Sequence, residues 1–466
     1  MANRYWVGGA GTWDLSATTH WSSTSGGVSG ATIPTLTDDV YFDGNSGTGR
    51  TTLSNPGALT CRSLICSGFT GDLYHVSNAA INILNIYGDL ILCSTMGASG
   101  FGSAVKLLAT SGTYSIDFAG KITQFNSVTI SGGATYNMLN DMQTANTGIL
   151  TLQLGTLNTN NYSMLTSGSI ATNGFAISGG IFNAGTSTID VKGINITGGV
   201  LNTSGATLIV RGVAAASTPT FALNGSSWAS VKLTNSVAQN VTIPLDSFTT
   251  PRLEFAMSGH NTVSLASNLT VATTFKISNS NSGDTLNIKS SVDGTRRTIT
   301  SNGTNTCAYC SFNNITGSGS SSWNLSAIST IYDCGNNTGI TFNAAIPSSL
   351  YWVGRSDSFP VGNGWSLTTG GGVSGLIPTR YINAVMDNNS SSSTITLSTN
   401  TICKTFDSNN FSGSFDGNST INVYGSLYIG TGVTCGYSGV ERRVLQLHKR
   451  KLSNHKQLFK LLSNLP

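Results

Sequence analysis

At 466 residues the chain is long enough for two or three ordinary domains or for one extended repeat array. Only 9% of its residues are charged, against roughly 25% in a typical globular domain, and 55 residues are Gly. The formal charge of +4 resides at the chain end, where residues 441–466 hold seven of the 23 Lys and Arg but one of the 19 Asp and Glu. The remaining 16 basic and 18 acidic residues give no electrostatic footprint for nucleic acid. No run approaches the roughly 18 apolar residues of a membrane-spanning helix, so membrane insertion is not expected.

The first predicted element is a β head module over residues 1–100, opening Tyr5-Trp-Val-Gly-Gly-Ala-Gly-Thr-Trp-Asp14. It enters this motif without an apolar leader, so synthesis in the cytoplasm is expected. Tyr5, Trp6, Trp13 and Trp21 admit two readings. Their rings can stack on sugars as a glycan-binding platform, or they can form the small core of the head. Asp38, Asp39, Asp43 and Asn45 form the densest acidic patch. Alternating Asp and Asn oxygens beside a turn can bind Ca²⁺, although the spacing is not that of an EF-hand, and Asx hydrogen bonds closing a turn explain the pattern equally.

Residues 101–345 read as a β-solenoid. Runs such as Thr188-Ile-Asp-Val191 and Thr207-Leu-Ile-Val210 are strand signals bounded by Gly, Asn and Ser. Residues 178–193 align with 197–212 at an offset of 19, and Gly155-Thr-Leu-Asn158 is an earlier relative. Short repeat units with Gly and Asn corners suit stacked coils, because one coil cannot bury its apolar face alone. No amphipathic helical spacing is found before residue 439.

The head motif then returns. Tyr351-Trp-Val-Gly354 matches Tyr5 to Gly8, Gly371 to Gly375 match Gly26 to Gly30, Pro378 matches Pro34 and Asp387 matches Asp43. This second, incomplete head is expected at 346–438. Trp6 and Trp21 recur as Trp352 and Trp365 while Trp13 becomes Phe359, a swap that keeps bulk and loses the indole N–H, which favours packing. Residues 439–466 are a basic, Gly-poor tail with three readings: an out-of-frame terminus, an amphipathic interaction helix or a helical cap.

Catalytic chemistry is not apparent. The acids of the middle region, among them Asp117, Asp141, Asp190, Asp246 and Asp293, never fall at i, i+2 on one strand face. His20, His75 and His260 read as surface residues, and Cys307-Ala-Tyr-Cys310 lacks the partners of a zinc site. No catalytic residue and no cofactor is assigned.

The sequence Tyr5 to Asp14, followed by Thr19-His-Trp-Ser22, Ile33-Pro34 and Asp38-Asp-Val-Tyr-Phe-Asp-Gly-Asn-Ser46, resembles a repeat of largely uncharacterised proteins from tailed bacteriophages and environmental bacteria. The resemblance covers both heads and the junction Gly335–Phe342, and it carries no catalytic residues. It implies an all-β, elongated solenoid with repeated small heads, acting as a structural or host-recognition part of a virion such as a tail fibre. The implied partners are a host surface glycan or protein and further copies of the chain, in a homo-oligomer such as a trimer. A bacterial adhesin at the cell surface and a glycan-degrading β-helix enzyme are the alternatives.

Overall fold

The computed structural model describes residues 2–435 apart from 55–57, 76–82, 98–103, 121, 124–126, 145–148, 167–173, 213–220, 236–241, 280, 355–363, 391–393, 398–399, 418 and 420. The chain is all-β and coils as a parallel β-solenoid. The tail at 439–466 lies outside the described residues. Two compact units are distinguished: residues 1–236 with 243–255 and 269–275, and residues 237–242 and 256–268 with 276–466.

In the first unit most coils add one strand to each of three faces among the described residues. One face is a ten-stranded sheet that runs from Asn3–Trp6 to Val200–Asn202, and a second is an eight-stranded sheet from Leu59–Cys61 to Phe221–Ala222. Alternation dictates what turns inward. Leu84, Ile86, Val105, Leu107, Val128, Ile130, Leu150, Leu152, Phe175 and Ile177 are all buried, each stacked on its equivalent one coil away. Burying such a side chain contributes about 1.5–3 kcal/mol, and the stack lets each coil shield the next.

The repeat seen in the sequence is the coil itself. Thr188–Val191 pairs in register with Thr207–Val210, an offset of 19. Its Gly-Gly marks a corner where Gly155, Gly180 and Gly199 all have positive φ. A Cβ on Gly180 would lie 2.6 Å from the Gly155 carbonyl oxygen, so the previous coil excludes any side chain there.

One sheet runs past residue 100, where the first head is expected to end. Its strand Leu90–Ile91 pairs with Thr113–Asp117, so the ten-stranded sheet continues through the expected boundary. The head is therefore the first coils of the solenoid, closed at its edge by an antiparallel strand: Trp21–Ser22 pairs with Asn3–Trp6 through Tyr5↔Ser22 and Trp6↔Trp21. That outermost strand is only two residues long, and so short an edge is a poor template for pairing with another chain.

In the second unit, Asn261–Leu265, Leu286–Ser290, Cys310–Asn313 and Ile331–Asp333 form parallel coils. A new stack then begins. Ser349–Trp352 pairs with Asn383–Val385, followed by Phe406–Ser408 and Leu427–Ile429, and it is closed by the same antiparallel pairing, Trp352↔Trp365. Within this unit the second head lies against the outer face of the coils before it. Thr285 Oγ1 donates to the Ser374 carbonyl at 3.1 Å, Asn287 Nδ2 to the Gly375 carbonyl at 2.9 Å and Thr379 Oγ1 to the Cys334 carbonyl at 2.8 Å.

Candidate functional site

The aromatic platform expected from the sequence is mostly interior. Trp6, Trp13 and Trp21 are at most 1% exposed and pack with Phe42. Trp6 and Trp21 meet edge to face with centroids 5.2 Å apart, as Trp13 and Trp21 also do. These three indoles offer no face to a ligand, and the core reading describes them. Tyr5 alone keeps an outer surface, stacked on Tyr41 at 4.8 Å. The second copy rebuilds the same core, with Trp352 and Trp365 also 5.2 Å apart. His20 is not a surface residue: its ring stacks on Trp6 at 4.6 Å, and Nδ1 lies 2.8 Å from the Val7 carbonyl. Gly364 occupies the corresponding place, where a Cβ would stand 2.2 Å from the Trp352 ring. Phe359 lies outside the described residues.

The four calcium candidates do not converge. Asp38 accepts from the Thr35 hydroxyl at 2.8 Å and from the Thr35 and Ala2 N–H groups, with Arg4 3.9 Å away. Burial pushes its carboxyl up, but these donors together hold it below the ordinary Asp value. Asp39 is paired with Arg62. Asp43 closes a turn, accepting from the Asn45 N–H at 2.9 Å, while Asn45 Nδ2 donates to Ser25 Oγ at 2.9 Å. In the second copy Asp387 accepts from the Asn389 N–H at 2.8 Å, and Asn389 Nδ2 donates to Thr369 Oγ1 at 2.7 Å. The recurring Asp and Asn thus fasten the turn that the Asx reading describes. Among the described residues no group of three or more His, Cys, Asp or Glu is placed to hold a metal ion.

The other acids are also engaged. Asp141 caps the Ser163 N–H, Asp246 accepts from the Leu223 and Asn224 N–H groups, Asp333 from the Gly335 N–H, and Asp190 pairs with Arg211. His260 is half-buried, and burial lowers its pKa against the opposing pull of Asp284. The side chain of His75 lies outside the described residues. Cys310 and Cys334 are buried thiols; burial pushes Cys334 up to about 12. Cys93 is the exception, lowered to about 5 chiefly by its hydrogen bond with Cys66, with Thr95 adding to it.

Two surfaces carry organised polar chemistry. The first is the outer face of the ten-stranded sheet. Asn137, Asn158, Asn183 and Asn202 stand in one row, and the Nδ2 of each of the last three donates to the Oδ1 of the Asn one coil before it at 2.6 Å. Beside them runs a second row of Thr113, Thr135, Thr156, Ile181 and Val200. Rows recur at the strand spacing of about 4.8 Å. Sequence reading captured the Gly-Gly-x-x-Asn repeat but not that its Asn residues bond one to another.

The second surface is a cavity of about 110 Å³ within the second unit, beneath the second head. Lys289, Thr262, Asn287, Ser311 and Asn313 line it from the coils, with Pro378, Thr379 and Thr401 opposite. Burial pushes the Lys289 ammonium down from the ordinary lysine value, with Asp293 partly opposing. Nothing in the local sequence announces this site, because its walls come from segments more than a hundred residues apart.

Comparisons with protein-family models, with curated proteins and with solved structures give no match to this chain.

Proposed function

We propose that this chain is a structural or host-recognition component of a phage virion, a tail fibre or similar appendage, that contacts a host surface glycan or protein along its solenoid. The observation that carries the reading is the outer face with its hydrogen-bonded Asn row beside the Thr113–Val200 row. A regular array of identical polar groups on a nearly neutral surface suits weak contacts repeated many times, in which avidity replaces a single deep pocket. The likeness of both heads to the repeats of tailed phages and environmental bacteria supports the virion setting. A homo-oligomer such as a trimer belongs to the same reading, since it would multiply those contacts. Structural work for the acids, rather than a shared active site, favours binding over catalysis.

Mass spectrometry of purified particles from the source tests the setting. Peptides of residues 1–435 in the virion support it, and their recovery from cell envelopes alone would replace it with the adhesin. Binding of the purified chain to isolated host polysaccharide, weakened by Asn158→Asp with Asn183→Asp, is the expected result for the face. Release of reducing ends from that polysaccharide would instead make the chain an enzyme.

A further inference from the structure

The outer side of the sheet Asn261–Leu265, Leu286–Ser290, Cys310–Asn313 presents Thr262, Asn287 and Ser311 in one row and Ser264, Lys289 and Asn313 in the next. On an open solenoid such a lysine would stand in water. Here the second head covers it, and the polar groups around it are largely spent on one another. Asn287 Nδ2 donates to the Gly375 carbonyl, Ser311 Oγ to Asn287 Oδ1 at 2.7 Å, and Asn313 Nδ2 to the Cys334 and Gly335 carbonyls at 2.8 and 3.0 Å. Among the described residues no acid lines the cavity. The nearby Asp293 already receives Arg380 Nε at 3.1 Å, the Tyr424 hydroxyl at 2.9 Å and Asn314 Nδ2 at 3.4 Å. Among the described residues nothing accepts a hydrogen bond from the Lys289 ammonium, and the Thr262 hydroxyl is likewise uncommitted.

A desolvated ammonium without an acceptor is costly, and it either loses its proton or gains an anion. A water occupies about 30 Å³ of liquid, so the cavity has room for one carboxylate or phosphate in place of a few waters. We propose that this cavity is an oxyanion site, in which the Lys289 ammonium and the Thr262 hydroxyl hold a carboxylate or phosphate group. Lysine serves such a group as a point charge with three donors. The site rests on its own geometry and not on the virion reading.

Thermal unfolding of the full chain tests it, comparing sodium acetate, sodium phosphate and an oligouronate with sodium chloride at matched ionic strength. Acetate or phosphate raises the midpoint of the unmodified chain, Lys289→Arg retains the rise, and Lys289→Met abolishes it. Without anion Lys289→Met unfolds no lower than the unmodified chain, since it removes a half-buried, largely desolvated ammonium that has no hydrogen-bond acceptor among the described residues, which separates loss of binding from loss of fold. A response to oligouronate at far lower concentration than to acetate identifies the source as a polysaccharide acid, and equal responses identify a free anion. No midpoint change in the unmodified chain, or an equal change in Lys289→Met, overturns the proposal.

Discussion

Trp6 and Trp21 share one core and differ in one atom's fate. Trp6 Nε1 donates to the Gly9 carbonyl at 2.7 Å, whereas Trp21 Nε1 is buried with no acceptor. Replacing either by Phe leaves a similar void, so the difference between the two variants isolates the hydrogen bond. Trp6→Phe is expected to cost about 1 kcal/mol more than Trp21→Phe in urea unfolding. Two carboxylates make opposite pH predictions. Asp38 titrates below its ordinary value in the folded state, so its contribution is present above that value and is lost as pH falls through the folded pKa. Asp190 is raised, because burial outweighs Arg211, so its charged form is the disfavoured one and acidification favours the fold there. Asp38→Asn should therefore lower stability at neutral pH, and Asp190→Asn should hold or raise it. Urea midpoints from pH 7 into the acid range check both signs.

At the scale of the coil, the Asn row predicts a positional series. Asn183 makes a side-chain hydrogen bond to each neighbour and Asn202 one to the coil before it. Each such bond contributes about 0.5–1.5 kcal/mol net, so Asn183→Ala should cost about twice what Asn202→Ala does, read from the same denaturant midpoints. Much of this level was legible in the sequence. The offset of 19 between residues 178–193 and 197–212 is the register of neighbouring coils, because parallel stacking places equivalent residues over one another. The head boundary was not legible, since its strands alternate like those of the coils they join. The burial of Trp13 was ambiguous for a similar reason: an indole serves a core or a ligand with the same composition around it. The Lys289 cavity required residues 262, 289, 379 and 401 to meet, and no local pattern encodes that.

For the molecule as a whole, the second head is joined to the coils before it partly through Asp293, which Arg380 and Tyr424 share while the Arg380 guanidinium lies 4.0 Å over the Tyr424 ring. Such a partly exposed ion pair contributes about 1 kcal/mol or less. Asp293→Asn is expected to raise the rate of proteolytic cleavage between residues 336 and 348 a few-fold, with high salt doing the same to the unmodified chain. Equal rates in the two chains would remove Asp293 from that role.

The likeness of one coil to the next also bears on how the chain keeps count. Residues 178–193 and 197–212 fill neighbouring levels with nearly the same inward row, so a nascent chain that slipped by one level would still cover Phe182 or Leu201 with an apolar neighbour. Little in the inward rows of these two levels distinguishes one from the other. The tryptophan cores at the two starts do, and they act as origins from which levels are numbered. Excising residues 178–196, one whole level, should then leave a folded chain one coil shorter, with its circular dichroism retained. Excising half as many should not. Length in such a molecule is a setting that can change by whole levels while both origins stay as they are.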